Sequence, residues 1–418
     1  MIRLKWTRAW CCVFLCIISI NISVKPVYSA TVKTSSSGSY LKKPVKANAP
    51  VKKLVKKSVK APTKVAKGWR PSAVTADAAV LMDVATGDVL FDKQAHKRRP
   101  PASTTKIMTA ILGFELGRSD EIVTVSQKAA AVGESTLHLD PGEKITLYEL
   151  ITGALIKSGN DACVAIAEHI AGSEEQFINL MNRKALALGA QDTHFENTNG
   201  LPCKEHYSTA YDLALLARHG LQIPQFASII RQKETEIHFL EPDVLMDLRN
   251  TNKLLWNYPY ADGVKTGTTT AAGKCLVASA TKGGRQILVV VLNAPDRFGD
   301  AKKLLEWGFE NTETVRLANV GQVIAEFPST TKSVQVFVKN PLDVSISMVE
   351  RNKLQTRVVW EKNENLPIRA GERLGRLEVW LGEQKLNSVP LFSENEVVGN
   401  RSIKRLFPFG RYKGNERE

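Results

Sequence analysis

The sequence predicts an α/β (α+β) chain in which one sheet packs against a helical block and a small all-β sandwich follows. Strand-length apolar runs stand at both ends of residues 71–312, with helical periodicity between them. From residue 313 to 398 the pattern changes to short alternating strands separated by turn residues. At 418 residues the chain is also long enough to give two domains full cores.

The elements follow in order. Residues 1–30 read as an export signal: Arg3, Lys5 and Arg8 lead an apolar run from Ala9 to Ile20, and Val27-Tyr28-Ser29-Ala30 offers a cut after Ser29 or Ala30. Residues 31–70 are rich in Lys, Val, Ala, Pro and Ser and have too few large apolar side chains to offset ordering entropy, so they read as a disordered linker. In residues 71–312, Ala78 to Asp83 reads as a strand, Ala85 to Asp88 as a turn and Val89 to Phe91 as the hairpin partner. Pro100-Pro101 precedes a helix from about Ser103 to Leu116, and further helices are expected over Leu147–Ile156, Ala162–Ala171, Glu174–Leu188 and Tyr211–His219. Strands return at Cys275–Ala280 and Gln286–Leu292, before a closing helix over Asp300–Phe309. The sandwich, residues 313–398, is expected from strands at Val334–Val338, Val344–Met348, Arg357–Trp360 and Arg376–Trp380. A basic, aromatic tail, 399–418, ends the chain, with Pro408 and Gly410 interrupting any helix there.

The net positive charge is confined to the first seventy residues. The net +15 includes four basic side chains in residues 1–30 and twelve in residues 31–70, with no acidic ones, which leaves residues 71–418 at −1. The folded part therefore offers no basic footprint for nucleic acid. The Lys-rich linker reads as a solvated spacer that also suits contact with a peripheral membrane or another anionic envelope surface. Export places the protein in the periplasm or on the outer face of a bacterial cytoplasmic membrane. Cys163 and Cys275 sit in apolar patterns and read as core residues, whereas Cys203 follows Gly-Leu-Pro in a loop. The seven histidines have no zinc spacing, so neither metal nor cofactor is expected.

Three short strings suggest one catalytic constellation: Ser103-Thr104-Thr105-Lys106, Ser158-Gly159-Asn160 and Lys265-Thr266-Gly267. Singly they are weak, since Ser-x-x-Lys occurs four times here and is far more often a helix cap with an exposed lysine. Their order, on a helix start, an inter-helix turn and beside a strand, carries the signal. A serine hydroxyl needs a base, and Lys106 lies three residues along the helix from Ser103, on the same face. A lysine is a base only when neutral, and burial or a second cation, Lys265 being the candidate, favours that form. Ser158 suits a proton relay, Asn160 a substrate amide, and Asp161 a helix cap. Gly267 lets a substrate lie along the strand, Lys265 and Thr266 suit a carboxylate, and the backbone N–H groups of Ser103 and Thr268 suit an oxyanion hole. His206, Ser208 and Asp212 have the residue types of a hydrolase triad, but their close succession reads as capping and packing.

Residues 71–310 resemble the D-alanyl-D-alanine carboxypeptidases, the low-molecular-mass penicillin-binding proteins of the serine peptidase class. The likeness extends past the three strings to Leu81–Gly87, Pro101–Ala110, Leu155–Ala162, Asn199-Gly200-Leu201-Pro202, His206–Asp212, Asn250-Thr251-Asn252 and Asp262–Gly267. It implies a penicillin-binding/β-lactamase-like transpeptidase fold followed by an accessory β domain. It also implies removal of the terminal D-alanine from the peptidoglycan stem peptide through an acyl-enzyme on Ser103, and covalent inhibition by β-lactam antibiotics. A β-lactamase shares the three strings and needs a deacylating glutamate; Glu175 with Asn179 has that form but lies in an apolar-periodic helix and reads as helix surface.

Overall fold

The computed structural model describes residues 74–329, 333–362 and 367–398; the export segment, the whole linker and the basic tail read from the sequence lie outside the described residues. Strands β1 (Ala78–Asp83) and β2 (Val89–Lys93) form the expected hairpin. Helix α1 (Lys106–Leu116) starts later than the sequence suggests, because residues Ala102–Thr105 form a 3₁₀ turn. The Thr104 and Thr105 hydroxyls donate back to the carbonyls of Pro101 and Ala102, which favours the tighter turn over the α-helix.

A helical block follows. Between α1 and it lie β3 (Ile122–Thr124), α2 (Gln127–Ala130) and β4 (Lys144–Thr146). Helix α3 (Leu147–Ile156) opens with a Thr146/Glu149 capping box and is buried at most positions. Helices α4 (Asn160–Ala171), α5 (Glu174–Ala187), α6 (Ala210–Gly220) and α7 (Pro224–Ile230) complete the block, and α3 to α7 all pack against α1; Ser173 and Thr209 cap α5 and α6. The chain then forms β5 (Glu234–Glu241), β6 (Asp243–Arg249) and the short α8 (Leu254–Asn257). It returns as β7 (Ala261–Thr269), β8 (Gly273–Lys282), β9 (Arg285–Leu292) and α9 (Arg297–Asn311).

The main sheet has the order β2-β1-β9-β8-β7, so both ends of the segment build one sheet, as the sequence implied. Its central strands are covered on both faces. Leu288, Val290 and Val277 face the helical block, whereas Ile287, Val289, Val291 and Leu276 face Leu304, Leu305 and Trp307 of α9. Each such burial contributes about 1.5–3 kcal/mol. Lys265-Thr266-Gly267 lies inside β7, not at the entrance to the strand run, and β7 is the edge of the sheet.

The second unit is the expected small sandwich: β10 (Thr312–Ala318), β11 (Val323–Phe327), β12 (Val334–Val338), β13 (Leu342–Ser347), β14 (Leu354–Trp360), β15 (Arg373–Leu381) and β16 (Gln384–Ser393). A sheet ordered β11-β12-β16-β15-β14 packs with the β10-β13 pair around Val336, Val338, Val344, Val379 and Leu391. Met348, read as strand, belongs to a 3₁₀ turn. No linker separates the two parts, since α9 ends at Asn311 and β10 begins at Thr312. Arg285 bridges the joint, donating from Nε to Asp83 (2.8 Å) and from its other nitrogens to the Thr312 carbonyl and hydroxyl. Ser345 of the sandwich donates its backbone N–H to Asp88 (2.8 Å), and the Thr314 hydroxyl donates to Asp83.

Candidate active site

Ser103 stands on the 3₁₀ turn ahead of α1, and Lys106 is the first residue of that helix. The Lys106 amine is fully buried and lies 3.1 Å from Ser103 Oγ, 2.7 Å from Asn160 Oδ1 and 2.7 Å from the Asn199 carbonyl oxygen. Two acceptors can hold the two hydrogens of a neutral amine, which turns its lone pair toward the serine hydroxyl. Burial pushes the Lys106 amine down to about 8. Lys265 is also buried, donates to the Thr266 carbonyl, and is held well below its ordinary range, first by burial and then by the Lys106 charge. Burial is thus what lowers Lys106, and the influence of Lys265 on it that the sequence suggested is not seen.

Asn160 has both ends of its carboxamide engaged: Oδ1 takes Lys106, and Nδ2 donates to the Gly133 carbonyl at 2.9 Å. One Nδ2 hydrogen remains for a substrate amide. Ser158, at the turn before α4, is buried and has a left-handed φ of 75°, and Ala102 beside Ser103 has a φ of 49°. Such conformations cost about 1–3 kcal/mol each and cluster where a side chain must be aimed. Asp161 is the second residue of α4, with Gly159 at the N-cap position, and its Oδ1 accepts the first-turn Ala162 N–H at 2.9 Å, so the capping read from the sequence is present from inside the helix. Its carboxylate accepts the N–H groups of Leu137 (2.8 Å) and Leu139 (3.2 Å), and so fixes the 133–139 loop beside Asn160.

Two glycines let the walls close on the turn that carries Ser103. A Cβ at Gly200, whose φ is +93°, would stand 1.9 Å from the Ala102 carbonyl oxygen, and one at Gly267 would stand 2.9 Å from Ser103 N. The Gly267 backbone therefore runs against the Ser103 amide, with Thr268 next in line. Thr268 Oγ1 accepts from Arg297 Nη1 at 2.7 Å, and the same nitrogen donates to the Gly267 carbonyl. Thr266 Oγ1 lies 2.7 Å from Thr251 Oγ1. His206 ties the turn to the 196–206 loop. Its Nδ1 accepts the Glu196 N–H, so Nε2 carries the proton and donates to Thr105 Oγ1 at 2.9 Å.

The sequence reading missed Arg297, Asp161's loop contacts, Thr251 and the Asn199 carbonyl. Asn199 and Thr251 lie in strings that carry the family likeness, but without a role. A backbone carbonyl has no residue-type signature, and Arg297 is 30 residues from Gly267 in the chain. Ser208 and Asp212 bond to Thr193, and Asp212 also takes the Asp192 N–H, so with His206 they form packing contacts and no triad. Glu175 is exposed on α5. Cys163 and Cys275 are buried and Cys203 is exposed, and all three are free thiols.

A family model described as D-alanyl-D-alanine carboxypeptidase matches residues 63–296, and one described as the penicillin-binding protein 5 C-terminal domain matches residues 313–398. The D-alanyl-D-alanine carboxypeptidase DacF of Bacillus subtilis is 37% identical over 357 residues, covering 81% of this chain and 90% of that protein. This chain belongs to the D-alanyl-D-alanine carboxypeptidase family. DacD of Salmonella typhimurium, another member, is 33% identical over 82% of this chain and 92% of its own. The crystal structure of penicillin binding protein 5 from Haemophilus influenzae superposes with a TM-score of 0.71 at 30% identity, covering 79% of this chain and all of that one. The penicillin-binding fold with a trailing sandwich is therefore the carboxypeptidase architecture itself. Among the described residues no helix is long and apolar enough to cross a membrane.

Proposed function

We propose that this carboxypeptidase removes the terminal D-alanine of the peptidoglycan stem peptide through an ester on Ser103. The observation that carries the assignment is the buried Lys106 amine, 3.1 Å from Ser103 Oγ with two other acceptors for its hydrogens. Neutral Lys106 takes the Ser103 proton as Oγ attacks the carbonyl carbon of the penultimate D-alanine. The oxyanion faces the N–H groups of Ser103 and Thr268, a contact worth about 10² to 10³ in rate per donor. As the C–N bond breaks, the proton passes from Lys106 through Ser158 to the departing amine. Water then repeats the sequence on the ester and frees Ser103. Asn160 holds the peptide amide, and Lys265, Thr266, Gly267 and Thr268 hold the chain end. A β-lactam, whose ring amide mimics the scissile bond and which has no departing fragment, stays on Ser103.

The organisation we infer is an export signal over 1–30, a linker over 31–70, the peptidase over 71–312, an accessory sandwich over 313–398 and a basic tail over 399–418. The sixteen basic and no acidic side chains of residues 1–70 support export and contact with an anionic membrane or envelope surface. Intact mass after incubation with penicillin, alongside D-alanine release from a peptide ending in D-Ala-D-Ala, tests the assignment. The expected result is one lasting adduct with D-alanine release, and neither in Ser103→Ala, which should remain folded. An adduct on Ser103→Ala would overturn the nucleophile, and rapid turnover of the drug would favour a β-lactamase.

A further inference from the structure

Asn250-Thr251-Asn252 joins β6 to α8, and the two asparagines hold it rigidly. Both are buried. Asn250 Nδ2 donates to the Gln232 carbonyl (2.9 Å) and its Oδ1 accepts the Asn252 N–H. Asn252 Nδ2 donates to the Gly263 carbonyl of β7 (2.7 Å), and its Oδ1 accepts the Leu254 N–H. Thr251 between them is exposed, and its own N–H reaches the carbonyl of Ile156, the last residue of α3 before the turn that carries Ser158. The turn is thus fastened to β7 and to α3, and it presents one hydroxyl, 2.7 Å from Thr266 Oγ1.

We propose that Thr251 is a positioning residue for the substrate's free carboxylate: its hydroxyl donates to Thr266 Oγ1, leaving the Thr266 proton to point at the carboxylate. A threonine hydroxyl has one proton and two lone pairs, so Thr266 can donate into the cleft only when its pair with Thr251 runs in that direction. An approaching carboxylate, which only accepts, selects that direction, and the two hydroxyls then strengthen one another. Two residues along the same face of β7, the Thr268 hydroxyl is held by a donor of its own, Arg297. The consequence is a preference for a chain end bearing a carboxylate over an acyl donor that lacks one.

The inference rests on the carboxypeptidase reading, and the test separates the two. The full chain and its Thr251→Val and Thr251→Ser variants are compared on two donors with the same acyl group. One ends in D-Ala-D-Ala with a free carboxylate, and the other is a thioester whose leaving group has no carboxylate. Valine keeps the shape and removes the hydroxyl. Its kcat/KM for the peptide, relative to that for the thioester, should fall about tenfold, which corresponds to about 1.4 kcal/mol, the scale of one hydrogen bond. The loss should appear mainly in KM, because the carboxylate is present before and during the reaction. Thr251→Ser should restore the ratio. An unchanged ratio in Thr251→Val, or a serine variant as impaired as the valine one, would overturn the role of Thr251 while the carboxypeptidase reading stood. A wild-type protein that takes the thioester and refuses the peptide would overturn both.

Discussion

Lys106 and His206 are both buried ionisable groups whose charged forms burial disfavours, and each implies a pH dependence. For Lys106 the reactive form is the free amine, and burial brings it to about 8. Acylation by a β-lactam should therefore rise with pH and level off above about 8. Adduct formation followed against pH checks this, and a flat profile through that range would remove Lys106 from the role of base. For His206, burial lowers the imidazole from 6.5 to about 4. The unfolded chain then binds the proton first, so the stability that neutral His206 lends is full above about 6.5 and drains away as pH falls toward about 4. The whole effect is on the order of 3 kcal/mol. Urea denaturation of wild type and His206→Gln should give curves that converge as pH drops through that window. Parallel curves would refute the sign. Of these two groups the sequence disclosed Lys106, through its spacing from Ser103. It marked His206 as a packing residue but not its partners, a backbone N–H and the Thr105 hydroxyl, which have no signature in the chain.

At the scale of elements, the two-ended sheet and its helical block were legible because β8 and β9 are long apolar runs and the helices carry clear caps. The small sheet ordered β3-β4-β5-β6 was not. Two of its strands are three residues long, and β5 begins Glu234-Thr235-Glu236, a polar start that reads as surface. Nor was the 133–139 loop readable as part of the site, since what holds it is the Asp161 carboxylate acting on backbone N–H groups. Asp161→Ala should strand the buried amides of Leu137 and Leu139, each at about 1–3 kcal/mol. The expected outcome is a loss of about 2–4 kcal/mol in stability, with a slower acylation because Asn160 loses its neighbour at Gly133. Hydrogen exchange at those two amides, compared between variant and wild type, reports the loosening directly. Protection unchanged at Leu137 and Leu139 would mean that the loop holds itself.

At the scale of the whole molecule, the sequence separated a peptidase part from a sandwich by their different periodicities, and it marked the boundary at 312/313. It carried no sign of how firmly they are joined, because Asp83, Arg285, Thr314 and Ser345 are far apart in the chain. Asp83 is fully buried, and its charge is matched by Arg285 at 2.8 Å. Arg285→Ala leaves that carboxylate without its cation, which typically costs about 3–5 kcal/mol. The variant should lose stability on that scale and become more open to proteolysis between α9 and β10, while the folded fraction still takes one β-lactam adduct. Equal protease resistance in the two proteins would show that the sandwich packing alone holds the joint.

The absence of any linker between α9 and β10 has a mechanical meaning. A helix that passes directly into a strand, clasped by an arginine, cannot swivel, so the sandwich acts as a handle fixed to the blade. Wherever that handle is gripped, the angle at which the cleft meets a strand of wall polymer is already set. Reach along the polymer then comes from moving the whole tool, and not from bending it.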